Sequence, residues 1–254
     1  PRPLLLLKFY DFLYSIKIFR VLPSADILIT NTFCLPFLVR SLKFGKLYVY
    51  VARYPKGQLN LYRHAARLQT VSQPIAREMV KQVPRIKDKI KVIPYPTNLP
   101  SIADRDFRLS PSDPMTLLYV GRIHPEKGLD LLVKAITLLE ISFKKKLLVC
   151  IVGPWEVSQG GGGMKYFKSL KKLASDREAK FDWVGPVFNE EQLAELYSCA
   201  TLFIYPSIAE KGETFGLAPL EAMAFGCPVL VSALDCFQDF VVDNHNGFIF
   251  DHRR

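Results

Sequence analysis

The alternation of short apolar strands with helices restricts the fold of this 254-residue chain more than any other feature of its sequence. In the first part of the chain, runs of β-branched and apolar residues predict strands at 26–30, 46–51, 68–71 and 90–93. Helical patterns are found at 62–67 and 74–82. This alternation favours a parallel sheet covered by helices over an antiparallel barrel or sandwich.

The second part of the chain shows the same pattern more clearly. Strands are predicted at 117–120, 147–152, 181–184, 202–205, 229–231 and 248–250. Helices are predicted at 129–139, 166–174, 190–197 and 217–225. The strands are nearly continuous apolar runs, as expected when helices cover both faces of a parallel sheet. The sequence therefore predicts a Rossmann-like unit.

A proline-rich stretch separates the two parts. Five prolines lie between residues 94 and 114, where periodic apolar residues are few, and this composition is typical of a linker. We therefore predict an N-terminal α/β domain over 1–98, a linker over 99–113 and a Rossmann-like domain over 114–254. The glycine run at 160–163 is interpreted as a flexible surface loop.

The first predicted helix, residues 4–22, has apolar side chains on most sides. Four charges within it, Lys8, Asp11, Lys17 and Arg20, argue against a membrane-spanning segment. We interpret it as a largely covered helix with one hydrated stripe, packed in the N-terminal domain. The alternative is a helix that lies on a membrane, with its basic residues near anionic head groups.

Charge is distributed unevenly along the chain. The net charge is +10, and residues 1–110 carry 19 Lys and Arg against 6 Asp and Glu, whereas residues 111–254 carry 15 against 18. A half this basic suits an anionic partner, either phospholipid head groups, nucleic acid or phosphorylated substrates. A solvated basic face without a partner is the alternative for any single cluster.

The cysteines and histidines point away from disulfide and metal sites. The five cysteines are scattered without a C-x-x-C pair, and the four histidines include no pair at helical ligand spacing. The chain also begins without a signal-peptide pattern. We predict a cytoplasmic protein without a bound metal.

Polar residues that follow the predicted strands are the candidates for binding, because ligands of open parallel sheets lie beyond the carboxyl ends of the strands. Arg122 and Lys127 lie in a loop after one strand. Glu213 lies in the loop after another strand, just before a predicted helix, and Glu221 lies within that helix. A helix N-terminus and two cations could bind a diphosphate. The alternatives are surface ion pairs with Glu126 or Asp130 and, for Glu221, an exposed helical carboxylate.

Three motifs together resemble one known family. Residues 213–221, ETFGLAPLE, resemble the E-x7-E signature of retaining glycosyltransferases of the GT-B fold, the glycosyl transferases group 1 family. Residues 121–128, GRIHPEKG, resemble its G-R-x4-K-G loop, and residues 246–250, NGFIF, resemble a strand near its end. The matches cover about residues 70–251.

The resemblance implies a role for each matched residue. Arg122 and Lys127 would hold the diphosphate of a nucleotide-sugar and stabilise the charge that develops on it. Glu213 would contact the donor sugar, the Phe215 and Gly216 amides would assist at the phosphate, and Glu221 would accept hydrogen bonds from ribose hydroxyls. Backbone near Gly185 would flank the base. Three further residues would belong to the donor site: Gly121, Gly153 and Thr214.

The resemblance also implies the reaction. It is a retaining, metal-independent transfer of a sugar from a nucleotide-diphosphate donor to a glycan or lipid-linked acceptor, without a cofactor and without nucleic acid as a partner. The D-x-D match at 104–106 is interpreted as chance, because it lies in the linker. A dehydrogenase is disfavoured because the strand at 117–120 is not followed by G-x-G-x-x-G.

Two departures from the family leave a second interpretation open. The chain is expected to be truncated at both ends, with a partial N-terminal domain and without the final helices of the second domain. The strand at 46–51 leads to Arg53, where the family often has a histidine, and Arg53 either takes over a charge role or pairs with an acid. The alternative function is therefore a non-catalytic nucleotide-sugar-binding subunit or scaffold, docked on the inner face of the membrane.

Overall fold

The computed structural model describes residues 4–40, 44–97, 115–175 and 179–253. The chain divides into two compact units, residues 1–95 and residues 96–254. The whole of the linker predicted over 99–113, together with its D-x-D match, lies outside the described residues. Each unit is an α/β structure with a parallel sheet, which confirms the predicted fold class.

The first unit contains a parallel sheet in the order β1-β2-β3-β4. Its strands are β1 (Ile27–Thr30), β2 (Lys46–Tyr50), β3 (Arg67–Thr70) and β4 (Ile90–Val92). Its helices are α1 (Leu4–Val21), α2 (Leu35–Leu38) and α3 (Gln73–Gln82). Apolar side chains of the strands, such as Val49 and Leu68, are buried, and Ile75 and Met79 of α3 are completely buried as well.

The second unit contains a parallel sheet in the order β10-β9-β8-β5-β6-β7. Its strands are β5 (Met115–Val120), β6 (Leu147–Val152), β7 (Lys180–Gly185), β8 (Leu202–Tyr205), β9 (Val229–Ser232) and β10 (Phe248–Phe250). Its helices are α4 (Leu129–Thr137), α5 (Ile141–Lys144), α6 (Gly163–Ser175), α7 (Glu190–Cys199) and α8 (Leu217–Ala224). The order reverses at β5, which pairs with β6 on one side and with β8 on the other. Such a reversal opens a crevice for ligands at the carboxyl edge.

Helix α1 is much more exposed than predicted. Its side chains Phe9, Tyr10 and Tyr14 are 55%, 50% and 57% exposed. Ile18 and Phe19 pack against the apolar cluster that includes Phe44, and Asp11 Oδ2 accepts a 2.8 Å hydrogen bond from the Cys34 amide. The interpretation of a largely covered helix is therefore wrong. Apolar side chains are distributed around α1, whereas its contacts in this unit cover one side.

The helix predicted at 62–67 is also wrong. A 3₁₀ helix occupies Gln58–Tyr62 instead, and β3 begins at Arg67. Tyr62 is 3% exposed, and its hydroxyl donates a 2.8 Å hydrogen bond to the Phe33 carbonyl. From Arg67 onward the chain pairs with β2, and a local pattern does not report such a long-range contact.

No helix within the described ranges is both long enough and apolar enough to cross a membrane.

Candidate functional site at the carboxyl edge of the second sheet

A glycine lies at the carboxyl end of each of three adjacent strands in the second unit. Gly121, Gly153 and Gly185 follow or close β5, β6 and β7. The Gly121 amide donates to Val152 O at 2.9 Å, and the Gly153 amide donates to Gly185 O at 2.8 Å. A Cβ at Gly153 would lie 1.9 Å from Gly121 O, so only glycine permits this approach. The edge is therefore formed by closely packed backbone that carries no side chain at these three positions.

Two loops meet beside this glycine edge. We call residues 121–128 the β5 loop and residues 206–216 the β8 loop. The Glu126 carbonyl of the β5 loop accepts hydrogen bonds from the Ile208 amide at 2.9 Å and from Ser207 Oγ at 3.3 Å. Gly128 has φ +65°, and a Cβ there would lie 2.0 Å from Pro206 O. These contacts fix the two loops relative to each other.

Lys127 and Glu213 meet across the two loops. Lys127 Nζ donates to Glu213 Oε2 at 2.6 Å and to the Tyr205 hydroxyl at 2.9 Å. The two charged side chains are only 8% and 12% exposed, so both are largely desolvated. Lys127 therefore does not form the surface pair with Glu126 or Asp130 that the alternative interpretation required. The structure brings together two of the residues singled out from the sequence.

Arg122 lies on the open side of the same loop. Its Nη2 donates to Glu126 Oε1 at 2.7 Å, and its Nη1 donates to Gly160 O at 2.8 Å. The pair with Glu126 is thus the one that the alternative interpretation named. The Arg122 side chain is still 44% exposed, so its guanidinium can exchange this partner for a ligand anion.

The glycine run at 160–163 is not a flexible surface loop. Its amides donate inward, from Gly161 to Glu156 O at 2.8 Å, from Gly162 to Ile123 O at 2.8 Å and from Gly163 to Trp155 O at 2.7 Å. A Cβ on Gly161 would lie 2.3 Å from the Trp155 backbone. The run consists of glycine because its backbone packs closely on neighbouring residues. Its first residue, Gly160, contacts Arg122.

Helix α8 begins next to Glu213. Gly216 precedes it with φ +90°, and a Cβ there would lie 2.4 Å from the Phe237 ring. Phe215 is 3% exposed and contacts Phe240, with ring centroids 5.5 Å apart, whereas Thr214 is half-buried. The first amides of a helix have no partner inside the helix. The start of α8 therefore adds a partial positive charge beside the loop that carries Glu213.

Glu221 lies further along α8 and is half-buried. Its Oε2 accepts a 2.9 Å hydrogen bond from the Tyr197 hydroxyl of α7. Burial raises the pKa of the Glu221 carboxyl above its ordinary value, and the bond from Tyr197 partly opposes this shift. The contacts of the described residues connect Glu221 with α7 and not with the pair of Lys127 and Glu213.

The raised pKa of Glu221 predicts how its replacement changes stability with pH. The folded state holds this proton more tightly than the unfolded state does, so ionisation lowers the free energy of unfolding as pH rises through the raised pKa. Glutamine retains an acceptor for Tyr197 without this cost. We therefore expect Glu221→Gln to gain stability relative to the unmodified protein between pH 4 and pH 7.

Thermal unfolding of both proteins from pH 4 to pH 8 measures this difference. Glu195→Gln, at an exposed carboxylate of α7, is the matched control for the loss of one carboxylate. A difference in Tm between Glu221→Gln and the unmodified protein that stays constant over this range would contradict the expectation.

Sequence reasoning missed several residues of this edge. Tyr205 contacts Lys127, Tyr197 contacts Glu221, and Trp155 stacks on Phe167 with ring centroids 4.5 Å apart. Each lies at a predicted strand, helix or turn, but an apolar pattern does not distinguish such a tyrosine from an ordinary core residue. A tyrosine as the last residue of a strand, as Tyr205 is, was the available signal.

The described residues hold no cluster of three or more His, Cys, Asp and Glu side chains that is arranged to bind a metal ion.

Residues 101–254 match the family model described as Glycosyl transferases group 1. One curated relative, the D-inositol 3-phosphate glycosyltransferase of Streptomyces scabiei, is 31% identical over 202 residues, which are 76% of this chain and 44% of that protein. The enzyme of the same name from Frankia alni is 36% identical over 138 residues, 52% of this chain and 32% of that protein. The chain thus spans about half the length or less of these relatives.

Solved structures show the same fold at lower identity. HepE from Anabaena in complex with UDP superposes with a TM-score of 0.73 at 19% identity, over 93% of this chain and 68% of that chain. Sucrose-phosphate synthase from Thermosynechococcus elongatus has a TM-score of 0.73 at 22% identity, over 100% and 67% of the two chains.

Proposed function

Because this chain belongs to the glycosyl transferases group 1 family, we propose that it transfers a sugar from a nucleotide-diphosphate donor to a glycan or lipid-linked acceptor. The observation that carries the proposal is the arrangement of Arg122, Lys127 and Glu213 beside a glycine-lined sheet edge. Two cations and one carboxylate at such an edge match the charges of a sugar diphosphate and the hydroxyls of its sugar.

The two cations would have different tasks. Lys127 is buried and already held by Glu213, so its charge acts in a medium of low dielectric, where it stabilises a developing negative charge strongly. Arg122 is accessible and would bind the outer side of the diphosphate through its planar fork. Together they would supply the charge stabilisation that a divalent metal provides elsewhere, consistent with a metal-independent reaction without a cofactor.

Glu213 would be placed between the cation and the sugar. Its Oε2 accepts from Lys127, and a carboxylate has further lone pairs that could accept from donor hydroxyls. Attack on the same face as the departing diphosphate would retain the anomeric configuration. The start of α8, with the Phe215 and Gly216 amides, would complete the anion site, and Glu221 would accept from ribose hydroxyls.

The relatives suggest which compounds to test first. HepE was solved with UDP and glucose, which favours a UDP-sugar as donor. The curated relatives are named for D-inositol 3-phosphate, so a phosphorylated polyol should be tested beside glycan and lipid-linked acceptors. A phosphorylated acceptor would also suit the excess of Lys and Arg in residues 1–110.

Calorimetric titration with UDP- and GDP-sugars tests the donor site directly. We expect saturable binding of one of them by the folded protein and weaker binding by Glu221→Ala. If the folded protein binds no nucleotide-sugar and Glu221→Ala changes nothing, the proposal fails.

Replacement of Arg122 should impair function and leave the fold intact. Its side chain is 44% exposed and pairs with Glu126, which is 35% exposed, so the pair contributes little to stability. We expect Arg122→Gln to lower kcat/KM by about a hundredfold, since one charge-stabilising group is lost. Lys134→Gln is the control, because Lys134 is 61% exposed and also pairs with an acid at the i−4 position, Asp130. Equal kcat/KM for Arg122→Gln and the control would exclude Arg122 from the donor site.

A second proposal concerns membrane docking. The exposed aromatic side chains of α1, together with its exposed Lys8, Lys17 and Arg20, favour a helix that lies on an anionic membrane. In that case the protein would be peripheral on the inner face of the membrane, either as the transferase or as a non-catalytic nucleotide-sugar-binding scaffold. A scaffold would bind the donor without turnover, which a hydrolysis and transfer assay would distinguish.

Flotation with vesicles of phosphatidylcholine and phosphatidylserine tests the docking proposal. We expect the whole chain to float with anionic vesicles and the variant with Lys17→Glu and Arg20→Glu to float much less. Equal flotation of the two would exclude electrostatic docking through α1.

A further inference from the structure

We propose that a stacked pair of buried tyrosines, Tyr119 and Tyr205, positions the two cations of the donor site through their hydroxyl groups. The inference rests on the proposed function, because it concerns how Arg122 and Lys127 are held for a diphosphate. It assigns a positioning role to two residues that no sequence motif singled out.

The two rings pack against the β5 loop. Tyr119 lies on β5 and Tyr205 on the adjacent β8, and their ring centroids are 5.6 Å apart with planes 14° from parallel. Tyr119 is completely buried and Tyr205 is 5% exposed. A Cβ on Gly121 would lie 2.8 Å from the Tyr119 hydroxyl and 3.4 Å from the Tyr205 ring. The β5 loop therefore rests directly on both rings.

Each hydroxyl reaches one of the residues that carry the cations. The Tyr119 hydroxyl donates a 2.8 Å hydrogen bond to the carbonyl of Arg122, which fixes the backbone from which the guanidinium extends. The Tyr205 hydroxyl accepts a 2.9 Å hydrogen bond from Lys127 Nζ. With the bond to Glu213 Oε2 at 2.6 Å, this contact determines the position of the Lys127 ammonium from two directions.

The rings alone would satisfy packing, so the hydroxyls need a separate explanation. Phenylalanine would fill nearly the same volume and stack equally well, whereas a buried hydroxyl is costly unless it is hydrogen-bonded. Both hydroxyls contact the β5 loop. One hydroxyl therefore holds the backbone of the loop, and the other holds the buried ammonium of Lys127.

The hydroxyls remain protonated while they act. Burial raises the pKa of both tyrosines well above the ordinary value, and the nearby Glu213 carboxylate raises each further. Neither tyrosine is therefore suited to accept or release a proton in the reaction. Their contribution is geometric, since a cation displaced by a fraction of an ångström no longer faces the diphosphate.

Single Tyr→Phe replacements and UDP as the ligand test the inference. We expect Tyr205→Phe to weaken UDP binding, and to lower kcat/KM with a UDP-sugar, by about tenfold, and Tyr119→Phe by severalfold. The matched control is Tyr62→Phe in the first unit. Tyr62 is 3% exposed and also donates to a carbonyl, so its loss should cost similar stability without changing UDP affinity.

Double variants separate positioning from a purely structural role. If Tyr205 acts through Lys127, Tyr205→Phe should have almost no further effect on UDP affinity in a Lys127→Met background. If Tyr119 acts through the Arg122 guanidinium, Tyr119→Phe should likewise add little to Arg122→Gln. Full persistence of either effect in the double variant would overturn the inference for that tyrosine.

Failure of the inference can be distinguished from failure of the proposed function. If the unmodified protein binds neither UDP nor any nucleotide-sugar, the proposed function fails. If it binds UDP and both Tyr→Phe variants bind equally well, the donor site stands and the positioning role is wrong.

Discussion

Lys127→Met is expected to lower kcat/KM by about a thousandfold, the largest functional effect among the single replacements considered. The replacement retains the apolar stem and removes the ammonium, which is 2.6 Å from Glu213 in a largely desolvated site. Removal of one preorganised charge-stabilising group costs roughly a hundredfold to a thousandfold. The higher figure applies here because the cation is largely desolvated, so its charge acts in a medium of low dielectric.

Stability should fall in the same variant. Glu213 is 12% exposed and would keep a desolvated charge without its cation. Breaking a buried ion pair by removal of one partner typically costs about 3–5 kcal/mol. Chemical denaturation measures this cost, and steady-state kinetics below the new Tm measures the loss of activity.

A second replacement separates the two effects. In Lys127→Met with Glu213→Gln, the unpaired charge is gone, so most of the stability should return while activity remains low. Lys134→Met, at an exposed lysine of α4, is the control and should change neither property. If Lys127→Met retains more than a tenth of the original kcat/KM, Lys127 does not stabilise the transition state.

Gly153→Ala is expected to produce the largest structural effect. Its φ is +144°, and the new Cβ would lie 1.9 Å from Gly121 O, a distance that backbone atoms cannot accommodate without moving. Overpacking costs about 1–3 kcal/mol, and a left-handed backbone adds about 1–2 kcal/mol for a residue with a Cβ. We expect a loss of about 3 kcal/mol or more in the free energy of unfolding.

The same replacement should also weaken donor binding. The β5 loop begins at Gly121, so separation of β5 from β6 at this edge displaces the loop that carries both cations. UDP titration below the Tm of the variant measures this effect. A loss of stability without a loss of UDP affinity would show that the glycine edge is structural only.

Gly226→Ala provides the comparison for backbone strain alone. Gly226 lies in the same unit with φ +71°, and a Cβ there has no neighbour within 4 Å. The expected cost is about 1 kcal/mol, with unchanged UDP affinity. If Gly153→Ala costs no more than Gly226→Ala, the close approach of the two strands is not what selects glycine at position 153.

The sequence predicted the strands well because their signal is local. The predicted strands at 147–152, 202–205 and 248–250 coincide with β6, β8 and β10. Strands covered on both faces require continuous apolar runs, and turn residues limit those runs at both ends. The helix predicted at 62–67 failed because the chain from Arg67 onward pairs with β2, a long-range contact that overrides a weak local preference.

The environment of side chains was harder to predict. The glycine run at 160–163 suggested flexibility, although close packing on Trp155 is the reason for its composition. The apolar residues of α1 suggested a covered helix, although the contacts within its unit leave many of them exposed. The composition of a segment indicates which contacts it can make, whereas its burial depends on which other residues the fold places against it.

For this protein, the sequence alone determined the parallel α/β class, the resemblance to a family and the loops in which charged residues are found. Only the tertiary structure decided that Lys127 is buried against Glu213 and that Arg122 contacts the glycine run. It also decided that the stacked rings of Tyr119 and Tyr205 contact the loop that carries both cations. The physical reason is that strand and helix preferences arise between residues close in sequence. The site, in contrast, depends on contacts such as that between Lys127 and Glu213, which are 86 positions apart.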